Sequence, residues 1–220
     1  MNTPRPDLPP MPPNIAALPI DERGYPVPYF VQWMDEVGNP TKRGSGKPDF
    51  RVADSRKVYE CIMHGKCWVC GQNIGRKATF VVGPMCVINR GTSEPPSHYA
   101  CAIWSMKACP FLLNPSARRR DVNLPDGVIN PPGEFNPRNP GVMAAYTSRT
   151  WLPKPVSNGI MLGIGEPENV EWWTQGRMAT KDEAANALEE GYKVLQSVCN
   201  DEEEAELLRQ FYEAAKTTLP

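Results

Sequence analysis

The chain has 220 residues, with 24 Lys+Arg against 25 Asp+Glu and a formal net charge of -1, which excludes a strongly basic, charge-driven binder of nucleic acid or membranes. That length suffices for one ordinary domain or two small ones, and 40% apolar with 22% charged residues is a globular rather than a disordered composition. Proline is the outlier: 25 residues, about 11% of the chain and roughly twice the usual share, predict long irregular connections.

Residues 1–19 hold seven prolines and almost no apolar periodicity, which predicts an extended or disordered, passive arm. No secretory signal is visible there. The longest nearly apolar run, Phe80 to Ile88, falls far short of the roughly 18 to 20 residues of a membrane span, so a cytoplasmic protein without a membrane partner is expected. Tyr29 to Met34 and Phe50 to Val52 read as two strands of a hairpin around a long polar loop. Thr79 to Val82 and Met85 to Ile88 flank Gly83-Pro84, a second hairpin signal. Residues 114–140, rich in proline and asparagine, read as a linker. Beyond it Val142 to Thr147, Ile160 to Ile164 and Val170 to Trp173 predict a small antiparallel sheet, with Trp172 and Trp173 as packing residues. Gly163-Ile164-Gly165 reads as a turn.

The C-terminus predicts two amphipathic, antiparallel helices. Thr180 with Glu183 forms a capping-box pattern, Asp201 with Glu204 repeats it, and Ala184, Leu188, Leu195 and Val198 recur at helical spacing. Residues 180–220 carry 4 Lys+Arg and 10 Asp+Glu, a local charge of -6, which leaves 20 basic against 15 acidic residues in 1–179. The acids read as a solvated helix face that favours helix N-termini.

Six of the seven cysteines fall within 49 consecutive positions, at 61, 67, 70, 86, 101 and 109, and in a chain without a visible secretory signal that clustering points to metal ligation rather than disulfides. Cys67-Trp68-Val69-Cys70-Gly71 is a CxxCG knuckle: a tight turn aims two thiolates at one ion, and Gly71 is free to take a positive φ. His98 and Cys101 stand at i and i+3 after Pro95-Pro96-Ser97, a credible helix start with Ser97 as candidate N-cap, and a helix N-terminus favours thiolate.

Knuckle, hairpin and a helix whose first turn supplies two ligands resemble a treble-clef zinc finger over residues 67–109. The resemblance implies Cys67, Cys70, His98 and Cys101 as ligands and zinc as the metal. The 27 residues between Cys70 and His98, and the surplus donors Cys61, His64, Cys86 and Cys109, keep alternative ligand sets open. Cys86 and Cys109 read first as small buried hydrophobes. An iron–sulfur cluster on Cys67, Cys70, Cys86 and either Cys101 or Cys109 is the alternative cofactor, although no ferredoxin spacing is matched.

A closed four-ligand site stabilises a fold, whereas catalytic zinc keeps a position open. There is no Walker loop, GxGxxG or HExxH, and Glu60, Cys61 and His64 read as an ordinary helix end. For nucleic acid, the candidate contacts are Trp68 with Arg76, Lys77, Arg90, Arg118, Arg119 and Arg120, and Tyr99 as a second stacking ring. The expectation is an α+β protein with a proline-rich arm (1–19), a zinc module with flanking strands (20–113), a linker (114–140) and a small sheet plus acidic helical hairpin (141–220). It is expected to be non-enzymatic and to bind another macromolecule, foremost a protein, with nucleic acid or a metal-dependent enzyme using the surplus cysteines as alternatives.

Overall fold

The computed structural model describes residues 2–119, 122, 124, 132 and 138–220. In chain order its first half holds α1 (Pro13–Ala16), β1 (Val31–Met34), β2 (Pro40–Thr41), β3 (Lys47–Ala53), α2 (Ser55–His64), β4 (Ala78–Val82), α3 (Pro84–Asn89), β5 (Gly91–Thr92), α4 (Tyr99–Ala108) and α5 (Pro110–Leu113). The second half holds β6 (Met143–Ser148), β7 (Trp151–Val156), β8 (Gly159–Ile164), β9 (Pro167–Thr174), β10 (Arg177–Met178), α6 (Lys181–Gln196) and α7 (Glu202–Lys216). Among the described residues three small antiparallel sheets form, in the orders β2-β1-β3, β10-β9-β6-β4 and β5-β8-β7, so the fold is α+β as expected.

The four-stranded sheet is central because its strands are apolar on both faces. Successive side chains of a strand point to opposite sides, and the sequence uses both. Ala144 and Tyr146 of β6 join Phe80, Val82 and Trp172 in the main core with α3, α6 and α7, while Met143 and Ala145 join Val81 and Trp173 against Met106 of α4. One tryptophan of the Trp172-Trp173 pair therefore packs on each side. On the first face Gly191 lets α6 approach α3 closely; a Cβ there would lie 3.2 Å from Met85 N and Pro84 Cβ.

The C-terminal pair forms as its capping signals require. Thr180 and Glu183 complete a reciprocal capping box, and the Asp201 side chain accepts from the Glu204 N–H. Helices α6 and α7 pack on each other and on α3, and Tyr192 stacks on Tyr212 with centroids 4.2 Å apart.

Several expectations are corrected. Met85 to Ile88 is not the return strand of a hairpin: Gly83 is an extended N-cap, Pro84 occupies the first turn of α3, and β4 pairs instead with β6. Proline at a helix start loses no intrahelical hydrogen bond, so Gly-Pro serves a strand-to-helix junction as well as a turn. The proline-rich N-terminus is not a passive arm, because α1 forms within it and Ile15 is fully buried. Residues 151–156, assigned no element from the sequence, form the edge strand β7 despite Pro153 and Pro155, since β8 is the one strand that pairs with it among the described residues. Gly163 and Ile164 lie within β8, not in a turn. The hairpin expected at Tyr29–Val52 is present as β1 with β3, and β2 adds to its other edge. Most of residues 120–137 lie outside the described residues.

Candidate metal centre

The knuckle is held by its own backbone. Cys67 N–H donates to the Gln72 carbonyl at 2.7 Å and Gly71 N–H to the Cys67 carbonyl at 2.8 Å, which closes the turn around Trp68 to Gly71. Gly71 sits at φ +78°, and a Cβ there would lie 2.5 Å from the Tyr29 ring, so both backbone conformation and space require glycine. Tyr29 N–H donates to the Val69 carbonyl at 2.7 Å, which ties the knuckle to the β1 segment.

The second half of the centre hangs from the central sheet. Ser97 exchanges two backbone hydrogen bonds with Thr79 of β4, at 2.8 and 2.9 Å, so the chain stays extended through Ser97 and the N-cap of α4 is His98, one residue later than the sequence indicated. Cys101 follows in the first turn of α4. Trp68 N–H donates to the Pro96 carbonyl at 2.9 Å and docks the knuckle onto this extended segment.

The ligand atoms of Cys67, Cys70, His98 and Cys101 all lie within 4.8 Å of one another. His98 Nδ1 is 3.3 Å from Cys70 Sγ and 3.9 Å from Cys101 Sγ. Zinc bonded tetrahedrally to thiolate and imidazole would set its donors about 3.5–3.8 Å apart, and those two separations straddle that range. His98 Nε2 faces the Asn73 carbonyl at 3.0 Å. A carbonyl only accepts, so Nε2 carries the proton and Nδ1 presents its lone pair to the centre. Two backbone N–H groups, of Cys70 at 3.5 Å and His98 at 3.4 Å, point at Cys67 Sγ.

These contacts separate the thiols electrostatically. Hydrogen bonds from Cys101 and Cys70, with the two N–H donors, hold Cys67 well below the usual thiol range, while the hydrogen bond with Cys67 and burial push Cys101 up. Three thiolates meeting at one point repel each other, and a divalent cation is the group that lets all three ionise together. The donor set thus fits a metal ion.

The remaining cysteines are placed otherwise. Cys61 is fully buried on α2, where burial and then the nearby Cys67 push its thiol up to about 12. Burial likewise pushes Cys86, packed against the main core from α3, up to about 12, and raises Cys109. His64 is exposed at the last turn of α2, edge-on to Tyr59. Among the described residues, only Cys67, Cys70, His98 and Cys101 form a group of metal-ligand spacing.

The candidate nucleic-acid contacts are not gathered into one free basic surface. One face of Trp68 stacks on Phe30, with centroids 4.2 Å apart and planes 12° from parallel. Lys77 pairs with Glu168 at 2.7 Å, Arg90 pairs with Glu166, and Tyr99 Oη donates to Glu171. Arg119 donates to the Arg51 carbonyl at 3.0 Å, Arg118 pairs with Arg138 through the backbone and is itself exposed, and Arg76 is exposed. Arg120 lies outside the described residues.

The sequence reading missed the roof of the centre. Ile15 and Leu18 form a buried cluster with Cys67, Val69 and Cys101, and Met11 and Trp104 pack against it. Trp104 Nε1–H donates to the Pro9 carbonyl at 3.2 Å. The available signal was Met11, Ile15 and Leu18 at helical spacing inside the proline-rich stretch. Asn73, which fixes the His98 tautomer through its backbone, left no signal in residue type.

Comparison with protein-family models, curated proteins and solved structures found no match.

Proposed function

We propose that the Cys3His group holds one zinc ion as a structural centre, and that the protein acts by binding another protein rather than by catalysis. The observation that carries the zinc assignment is the convergence of three thiols and one oriented imidazole nitrogen within 4.8 Å. Thiolate with imidazole is a zinc donor set, and four protein donors leave no position for a reacting water. The ion would join the knuckle to the first turn of α4, beneath the N-terminal residues that pack on Cys67 and Cys101. A reducing, cytoplasmic setting accords with seven free cysteines.

Preference for a protein partner over nucleic acid rests on charge. The net charge is -1, and Lys77 and Arg119 already have partners within the chain. The test is titration of the metal-loaded protein with fluorescent mixed-sequence single-stranded nucleic acid at low and moderate salt, beside cross-linking in its native cells with identification of the adducts. The expected result is no salt-dependent nucleic-acid binding and a reproducible protein adduct. Steeply salt-dependent binding that weakens when Arg118, Arg119 and Arg120 are neutralised would replace the protein partner with nucleic acid.

A further inference from the structure

A cavity of about 190 Å³ opens between the end of α3, the β8–β9 connection and the last turn of α7, and shares no residue with the Cys3His group. Val87 gives it an apolar wall, and its polar lining is Arg90, Glu166, Tyr146, Thr217 and Thr218. The direction of each hydrogen bond in this lining is informative. Tyr146 Oη donates to the Gly165 carbonyl at 2.8 Å, Thr217 Oγ1 to the Ala214 carbonyl at 2.7 Å and Thr218 Oγ1 to the Ala215 carbonyl at 2.7 Å. All three hydroxyl protons are thus committed to the backbone, and the three oxygens have only lone pairs left to offer. Burial pushes the Tyr146 phenol up to about 12, so it remains a hydroxyl at neutral pH.

With the Glu166 carboxylate and the electronegative C-terminus of α7, one side of the lining accepts hydrogen bonds and favours positive charge. Arg90 is the single strong donor and the single cation. Its side chain is 26% exposed and its backbone is held at φ +53°, an unusual conformation for a residue other than glycine. It pairs with Glu166, whose side chain is 79% exposed. Glu166 is the solvent-exposed member of the pair and regains hydration when it swings away, so an incoming carboxylate can take its place on the guanidinium.

We propose that this cavity binds a small zwitterion, a free α-amino acid, with its carboxylate on Arg90 and its ammonium among Glu166 and the hydroxyl oxygens of Tyr146, Thr217 and Thr218. The test is saturation-transfer NMR and calorimetry on the full-length, metal-loaded chain with each common L-amino acid in turn. Every one that binds is followed by its des-amino carboxylic acid and its decarboxylated amine. Saturable binding of at least one amino acid is expected, with both half-molecules much weaker. Arg90→Met should weaken that binding on the order of tenfold or more, as loss of a charged hydrogen-bond donor does. Thr218→Val, which removes one acceptor and leaves the ion pair alone, should weaken it less. No saturable binding by any amino acid to the unmodified chain overturns the proposal, and so does a half-molecule that binds as tightly as the whole. Undiminished binding by a folded Arg90→Met protein does the same.

Discussion

The imidazole of His98 turns its Nδ1 toward Cys70 Sγ, 3.3 Å away, while the opposite ring nitrogen is occupied by a backbone carbonyl. A residue 28 positions after Cys70 is thereby delivered in the tautomer whose unprotonated nitrogen, Nδ1, faces the centre. Removing either residue should act on metal binding first and on folding as a consequence.

Cys101→Ser and His98→Ala are each expected to lower zinc affinity beyond the roughly 10–100-fold that loss of an outer partner of a ligand costs. Competition with a chromophoric chelator measures this. Retention of parental affinity by both variants would remove them from the ligand set.

The roof should answer to the metal. Ile15 is fully buried against Cys67 and Cys101, so Ile15→Ala is expected to destabilise the loaded protein by about 2–5 kcal/mol in urea unfolding. Chelation should also make residues 9–18 sensitive to limited proteolysis while the α6–α7 region stays protected. An unchanged cleavage pattern after verified metal removal would show that the roof does not depend on the centre.

Gly71→Ala combines a left-handed backbone with a Cβ placed 2.5 Å from the Tyr29 ring. The conformation alone costs roughly 1–2 kcal/mol, and the contact adds to it. A lower unfolding midpoint together with weaker zinc retention is expected. An alanine variant equal to the parent in both would mean that the knuckle turn relaxes freely.

At the start of α6, Thr180→Ala is expected to lose about 1 kcal/mol by urea unfolding. Its capping partner Glu183 accepts from Arg177 and from the Thr180 N–H, which together hold its carboxyl at about 2 against an ordinary 4.5. A depressed folded-state value gives stability that is present above the unfolded value and lost as pH falls toward the folded one. The stability difference between parent and Glu183→Gln should therefore be constant above pH 4.5 and shrink toward pH 2. The Glu183 side chain is 36% exposed and its Arg177 partner 53%, so added salt should reduce the difference. A difference that does not change over that interval would contradict the capping contact.

What the sequence disclosed follows how local each determinant is. Cys67 with Cys70, and His98 with Cys101, are three-residue spacings that one turn of chain converts into geometry, and both pairs come together. The capping box at Thr180 is equally local. Met85 to Ile88 misled because a buried six-residue helix such as α3 has the same apolar run as a strand, and Gly83-Pro84 serves either. Strand β7 was hidden by Pro153 and Pro155, whose tolerance depends on its lying at a sheet edge. Ile15 and Leu18 could be placed only once the knuckle existed for them to cover, and the amino-acid cavity joins α3, β9 and α7 across distant parts of the chain.

Elemental analysis of protein purified without oxygen, with a visible absorption spectrum on the same sample, bears most directly on the Cys3His centre. A structural zinc site predicts about one zinc per chain, no visible band, and loss of the metal in Cys101→Ser. Iron with thiolate charge-transfer absorption, or a metal-free chain that unfolds at the same midpoint before and after zinc addition, would contradict it.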